Sequence, residues 1–204
     1  MEALEDVPYV AARAALPEHL EQRKKRGSDR MRYIADTTEF QIEEPTIVTL
    51  GKFDGRHRGH QKLLRTMMEL KAETGYPTAI FTFGTAPGTA VTGKPQTVIT
   101  TNLERRANME KVGIDYLVEY PFTEETRHME PEAFVKDILA GRMHAREIVV
   151  GPDCSFGYKG AGSAELLSAM ARDLGYHLHV IEKEKDHRRD ISSTYIREEL
   201  EKGN

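Results

Sequence analysis

The chain has 204 residues, with 29 lysines and arginines against 33 aspartates and glutamates, a net charge of −4. That length holds one full domain with room for an appendage and can bury a real core, while the mild acidic balance lacks the basic footprint of a general nucleic-acid binder. No apolar run approaches the ~20 residues that span a bilayer, the opening Met1-Glu2-Ala3-Leu4-Glu5-Asp6 is acidic where an export signal is basic, and a single cysteine, Cys154, excludes an intrachain disulfide or a cysteine-built zinc site. A cytoplasmic α/β enzyme or binding domain is expected, with neither nucleic acid nor membrane as partner.

In chain order, residues 1–30 stand apart. Val7–Leu20 is Ala-rich and reads as a short helix, and Arg23-Lys24-Lys25-Arg26 lies in a charge-dense stretch broken by Gly27-Ser28. This is an extension or linker, leaving 31–204 as the domain. From Thr46 on, short β-branched runs alternate with amphipathic ones. Thr46–Leu50, Thr78–Phe83, Tyr116–Glu119, Glu147–Val150 and His177–Glu182 are short and nearly continuously apolar, as strands covered on both faces are. His60–Thr74, Leu103–Val112, Pro131–Ala140 and Ser163–Leu174 read as helices, and a last one begins at Ser193. In the first, Leu63, Leu64, Met67 and Leu70 share one face. The rhythm predicts right-handed βαβ units, a mainly parallel sheet and helices on both faces. Ligands of such sheets sit beyond the carboxyl ends of the strands.

Three loops there carry chemistry. Gly51-Lys52-Phe53-Asp54-Gly55-Arg56-His57-Arg58-Gly59-His60 follows the first strand and opens a helix. A helix N-terminus offers unpaired N–H groups and a positive dipole end. Gly59 lets the backbone approach a phosphate, and His57 and His60 can both donate to one phosphate chain. Two unrelated surface histidines are the plainer alternative. A zinc site lacks further ligands at suitable spacing. The loop 151–162, Gly151-Pro152-Asp153-Cys154-Ser155-Phe156-Gly157-Tyr158-Lys159-Gly160-Ala161-Gly162, suits a wrap around a planar ligand, or is an ordinary surface loop. In Asp190-Ile191-Ser192-Ser193-Thr194-Tyr195-Ile196-Arg197 the hydroxyls are strong N-caps. With Arg197 on the first turn they also make a second phosphate clamp.

Together, GKFDGRHRGHQ, the Gly-Pro-Asp…Phe-Gly loop and ISSTYIR resemble the FAD synthetase (FMN adenylyltransferase) domain of the bacterial bifunctional riboflavin kinase/FAD synthetase family. The similarity runs from about Pro45 to Gly203, with lesser marks at Tyr120-Pro121-Phe122-Thr123 and Glu132-Ala133-Phe134-Val135. The resemblance implies a Rossmann-like nucleotidyltransferase fold and the reaction ATP + FMN → FAD + pyrophosphate with Mg²⁺. His57, His60, Ser193, Thr194 and Arg197 would then act on the ATP phosphates. Gly51, Phe53, Asp54, Gly59 and Ser192 would shape the nucleotide side, Asp54 by ordering the phosphate loop or, less directly, by touching the metal. Gly151, Asp153, Phe156 and Gly157 belong to the binding loop, and Phe83 and Phe156 would border the isoalloxazine ring.

Three departures stand out. The kinase domain that the resemblance leads one to expect after this segment is not within these 204 residues, Thr85-Ala86-Pro87 replaces the usual Pro-His-Pro, and Cys154 stands where the family usually has Phe. Two other readings stay open: a related nucleotidyltransferase acting on another phosphate, and a nucleotide- or flavin-binding module without catalysis.

Overall fold

Six short runs of apolar and β-branched residues form one parallel sheet: β1 (Arg32–Ala35), β2 (Thr46–Leu50), β3 (Thr78–Phe83), β4 (Tyr116–Tyr120), β5 (Ala145–Val150) and β6 (His177–Val180). Their order is β1-β4-β3-β2-β5-β6, every neighbouring pair parallel. The computed structural model describes residues 30–55, 57–84, 98–183, 185–186, 189–190, 195–197 and 199. The helix expected at Val7–Leu20, the basic run at 23–26, Thr85-Ala86-Pro87, and Ser192, Ser193 and Thr194 lie outside the described residues.

The crossovers are α1 (Arg58–Thr74), α2 (Asn102–Val112), α3 (Glu124–Arg127), α4 (Pro131–Ala133), a π-helix at Phe134–Arg142, and α5 (Ala164–Leu174). A small antiparallel pair, β7 (Lys185–Asp186) and β8 (Arg189–Asp190), follows β6. Successive strand residues point to opposite faces, so both members of Ile47/Val48, Ala79/Ile80, Leu117/Val118 and Ile148/Val149 are fully buried, on opposite sides. Ile47, Ile80, Leu117 and Val149 pack on Leu64 and Met67 of α1 and Met109 of α2. Val48, Ala79, Val118 and Ile148 pack on Phe134, Ile138 and Leu139 of the π-helix and Leu167 of α5. The predicted two-layered cover is therefore present.

Several expected boundaries move. Helix α1 starts at Arg58 rather than His60 because His57 caps it. Asn102 precedes Leu103 into α2 under a Thr101/Glu104 capping box. The expected helix at Pro131–Ala140 is one α-turn that continues as a π-helix to Arg142, and the last strand ends at Val180 instead of Glu182. Strand β1 was not foreseen. It adds to β4 at the sheet edge, Arg32 against Tyr116 and Ala35 against Glu119.

After β2 the chain crosses to β3 on one side, while β5 lies on the other. This is the topological switch point, where a crevice opens beyond the carboxyl ends of the strands.

Candidate active site

The turn from β2 into α1 occupies that crevice. Phe53 adopts φ 49 and buries its ring (2 % exposed) 4.9 Å from the ring of His60, so it supports His60 from beneath. Gly51 lies over the edge of that ring: a Cβ there would stand 3.4 Å from Phe53 Cε2. Gly55 turns the chain at φ 74. His57 is the N-cap of α1, its Nδ1 accepting the backbone N–H of His60 at 3.4 Å. The Nδ1 of His60 lies 2.6 Å from the carbonyl oxygen of Gly55. A carbonyl only accepts, so this nitrogen carries the hydrogen. The two rings stack at 3.7 Å. Burial, and then the charge of His60, pushes His57 down to about 4. Burial also lowers His60, against the opposing pull of the Gly55 carbonyl and Asp54. Both rings rest neutral at the half-buried start of α1, whose first turn carries no acidic side chain. Gly59 sits half-buried within that turn.

Asp54 is buried and joins three segments. Its Oδ1 accepts the N–H groups of Ile99 (2.7 Å) and Thr100 (3.0 Å), and its Oδ2 accepts Arg197 Nη1 at 2.7 Å. The Oγ1 of Thr100 in turn accepts the N–H of Gly55 at 3.1 Å. The structure thus brings His57, His60, Asp54 and Arg197, from two motifs distant in the chain, together. A carboxylate has about four acceptor positions, and at least three are turned toward protein donors here.

On the far side of β5, Gly151 and Asp153 open the 151–162 loop. Asp153 extends into solvent and pairs with Lys183 at 3.0 Å. Its charge also reaches His57. Phe156 bonds back to Gly162 through its backbone and is 7 % exposed. Gly157, at φ 71, sits against Pro131 so tightly that a Cβ would lie 2.7 Å from the proline Cα. Burial pushes the Cys154 thiol up to about 11, which leaves it an inert side chain at neutral pH.

Phe83 and Phe156 do not touch. They are joined by a row of rings: Phe122 to Phe83 at 5.0 Å, Phe83 to Phe81 at 5.4 Å, Phe81 to Phe134 at 5.0 Å, and Phe134 to Phe156 at 5.4 Å. Beside Phe122 a cleft of about 350 Å³ opens, lined by Gly84, Asn102, Arg106, Tyr120 and Pro121 among others. Its floor is the buried Glu119, which takes Arg105 Nη2 (2.7 Å), Arg106 Nη2 (2.8 Å) and the Tyr33 hydroxyl (2.7 Å). Burial works to raise the Glu119 carboxyl, but these donors hold it below its ordinary value. Burial and then Glu119 push the Tyr33 hydroxyl up to about 12.

Sequence reasoning missed Lys183, Thr100 and the Arg105–Glu119–Arg106 group. No local pattern marks them, because each meets the site only through tertiary contact. Among the described residues no cluster of three or more histidines, cysteines or carboxylates could hold a metal ion. No helix among them is long and apolar enough to cross a membrane.

The family model described as FAD synthetase matches residues 39–195. The chain belongs to the FAD synthetase family. A bifunctional riboflavin kinase/FMN adenylyltransferase of Listeria monocytogenes is 31 % identical over 169 residues, covering 82 % of this chain and 53 % of that one. A protein named FAD synthetase from the same organism is 30 % identical over 159 residues, covering 77 % and 64 %. The chain spans about half the length of the bifunctional relatives it matches. Among solved structures, a Streptococcus pneumoniae protein described as a macrolide-efflux protein superposes with a TM-score of 0.72 at 25 % identity, over 82 % of this chain and 55 % of that one. The pantoate-β-alanine ligase of Francisella tularensis shares the fold alone, with a TM-score of 0.50 at 11 % identity over 82 % and 73 %.

Proposed function

We propose that this chain transfers AMP from ATP to FMN, forming FAD and releasing pyrophosphate. The observation that carries the reading is the crevice itself. His57 and His60 stack at the start of α1, and Arg197 is held beside them by Asp54.

The reaction needs alignment and charge stabilisation more than proton abstraction. An FMN phosphate oxygen, already ionised at pH 7, forms a bond to the α-phosphorus of ATP. The bond from that phosphorus to the β-bridging oxygen breaks, and pyrophosphate leaves with the electron pair. Aligning two polyanions and neutralising the charge that develops on the α-phosphate supply the rate. His57 accepts through Nδ1, so its hydrogen lies on Nε2, ready to donate to a phosphate while the ring is neutral. His60 uses Nδ1–H on Gly55, so its Nε2 donates only as imidazolium, a form that bound phosphates favour. Gly51, Phe53 and Gly59 shape the turn beneath them. Ser192, Ser193, Thr194 and Arg197 would close on the β- and γ-phosphates from the other side.

Magnesium would arrive with ATP and help offset the charge of its phosphates; no residue of the chain is assigned to it. For the flavin, the row of rings through Phe83 and Phe156, the adjacent cleft, and Gly151, Asp153 and Gly157 support a site beside β3, β4 and β5. Phe156 would contribute an edge only, given its burial. ATP and FMN are the partners, in a cytoplasmic setting.

Incubation with ATP, FMN and Mg²⁺ followed by chromatography tests the reading, with FAD and pyrophosphate expected in equal amounts. Turnover with another nucleotide or phosphate acceptor, and none with FMN, makes the chain a different nucleotidyltransferase. Ligand binding without product makes it a binding module.

A further inference from the structure

Asp54 is a buried carboxylate whose charge the backbone contacts do not require. The amides of Ile99 and Thr100 both point at Oδ1, and a neutral asparagine oxygen would accept them equally well. Burying an ionised group is expensive unless a cation answers it, and Arg197 supplies one, 2.7 Å from Oδ2 with its side chain 25 % exposed. The same turn carries His60, through Thr100 to Gly55 and from the Gly55 carbonyl to Nδ1. One carboxylate thus fixes both the last basic residue of the site and the turn that presents its histidines.

We infer that Asp54 is a positioning residue for the transfer, holding the Arg197 guanidinium beside the α1 turn and acting on the phosphates only through it. This rests on the reading of the chain as an FMN adenylyltransferase in which Arg197 clamps ATP. Its consequence is a specific dependence: the charge at position 54 matters while Arg197 is present and ceases to matter once Arg197 is gone. A scaffold residue would show no such dependence.

The test is a double-mutant cycle on the whole chain with Asp54→Asn, Arg197→Ala and the pair, read by steady-state FAD formation, thermal unfolding and calorimetric binding of Mg²⁺ with α,β-methylene-ATP. Asp54→Asn keeps the Oδ1 acceptor but turns an NH₂ toward the guanidinium. We expect kcat/KM for ATP to fall about 10²-fold with KM for FMN unchanged and Tm within a few degrees of the parent. In the Arg197→Ala background the same change should cost less than about threefold more. Analogue affinity should follow the same non-additive pattern. Multiplicative losses in the double variant, or an Asp54→Asn variant as active as the parent, overturn the inference. Should Asp54→Asn fail to fold, Arg197→Ala is assayed with added methylguanidinium. Rescue supports a carboxylate that still holds a guanidinium in place, and no rescue overturns it. An unmodified chain that makes no FAD overturns the functional reading instead, and the two failures are told apart by that control.

Discussion

His57 and His60 look equivalent in the sequence and are not equivalent in the molecule. One ring accepts through Nδ1 and the other donates through it, so their free nitrogens would meet a phosphate in different protonation states. Replacing either by alanine should cut FAD formation by about 10² or more, because each removes a donor aimed at developing charge. Turnover near the parent value in a folded variant would refute the assignment. Burial holds His57 near 4 against an ordinary 6.5, so between these values the unfolded chain binds the extra proton first. His57 therefore contributes stability above about pH 6.5 that is lost as pH falls toward 4. Plotted against pH, Tm should drop over that window, and the drop should shrink in His57→Gln. The two motifs that carry these histidines and Arg197 were joined by the resemblance they make together, and both were legible in the sequence. Lys183 and Thr100 were not, since a lysine in a charged tail and a threonine before a helix carry no local mark of what they touch.

At the scale of elements, hydrophobic periodicity found every central strand because each buries both faces. It missed β1, whose Arg32-Tyr33-Ile34-Ala35 is half exposed and pairs on one side only. It also read Pro131–Ala140 as an ordinary helix, where the structure has a π-helix over Phe134–Arg142. Phe134, Val135, Ile138 and Leu139 recur at intervals that suit either ladder, and all four are buried against the sheet. That π-helix sets Phe134 between Phe81 and Phe156, so it connects the sheet core to the 151–162 loop. Pro131, at the start of the same segment, pins the loop through Gly157. Gly157→Ala must place a Cβ 2.7 Å from backbone of Pro131 at a φ that side chains rarely adopt. Urea unfolding should show a loss of at least about 2 kcal/mol. An alanine variant as stable as the parent would mean that the loop is not clamped there.

For the molecule as a whole, the fold class and the switch-point crevice followed from the strand–helix rhythm, whereas the sheet order did not, since periodicity says nothing about which strand lies beside which. The region matched to FAD synthetase, residues 39–195, covers only about half of the bifunctional relatives. These 204 residues should make FAD from FMN, and chromatography of parallel incubations with FMN and with riboflavin checks this and shows whether riboflavin is also a substrate. The sheet order also has a consequence in time. The crevice lies between β2 and β5, and Thr46 of the first pairs with Ala145 of the second, 99 residues further on. At about 5–20 residues per second of synthesis, β2 waits roughly 5–20 s for the neighbour that completes its site. Arg197 emerges 52 residues after Ala145. Through that interval the growing chain has no complete phosphate crevice, so nucleotide can lend it no protection. Chains truncated before Ala145 should be digested by protease at the same rate with and without ATP, while the full chain is digested more slowly when ATP is present.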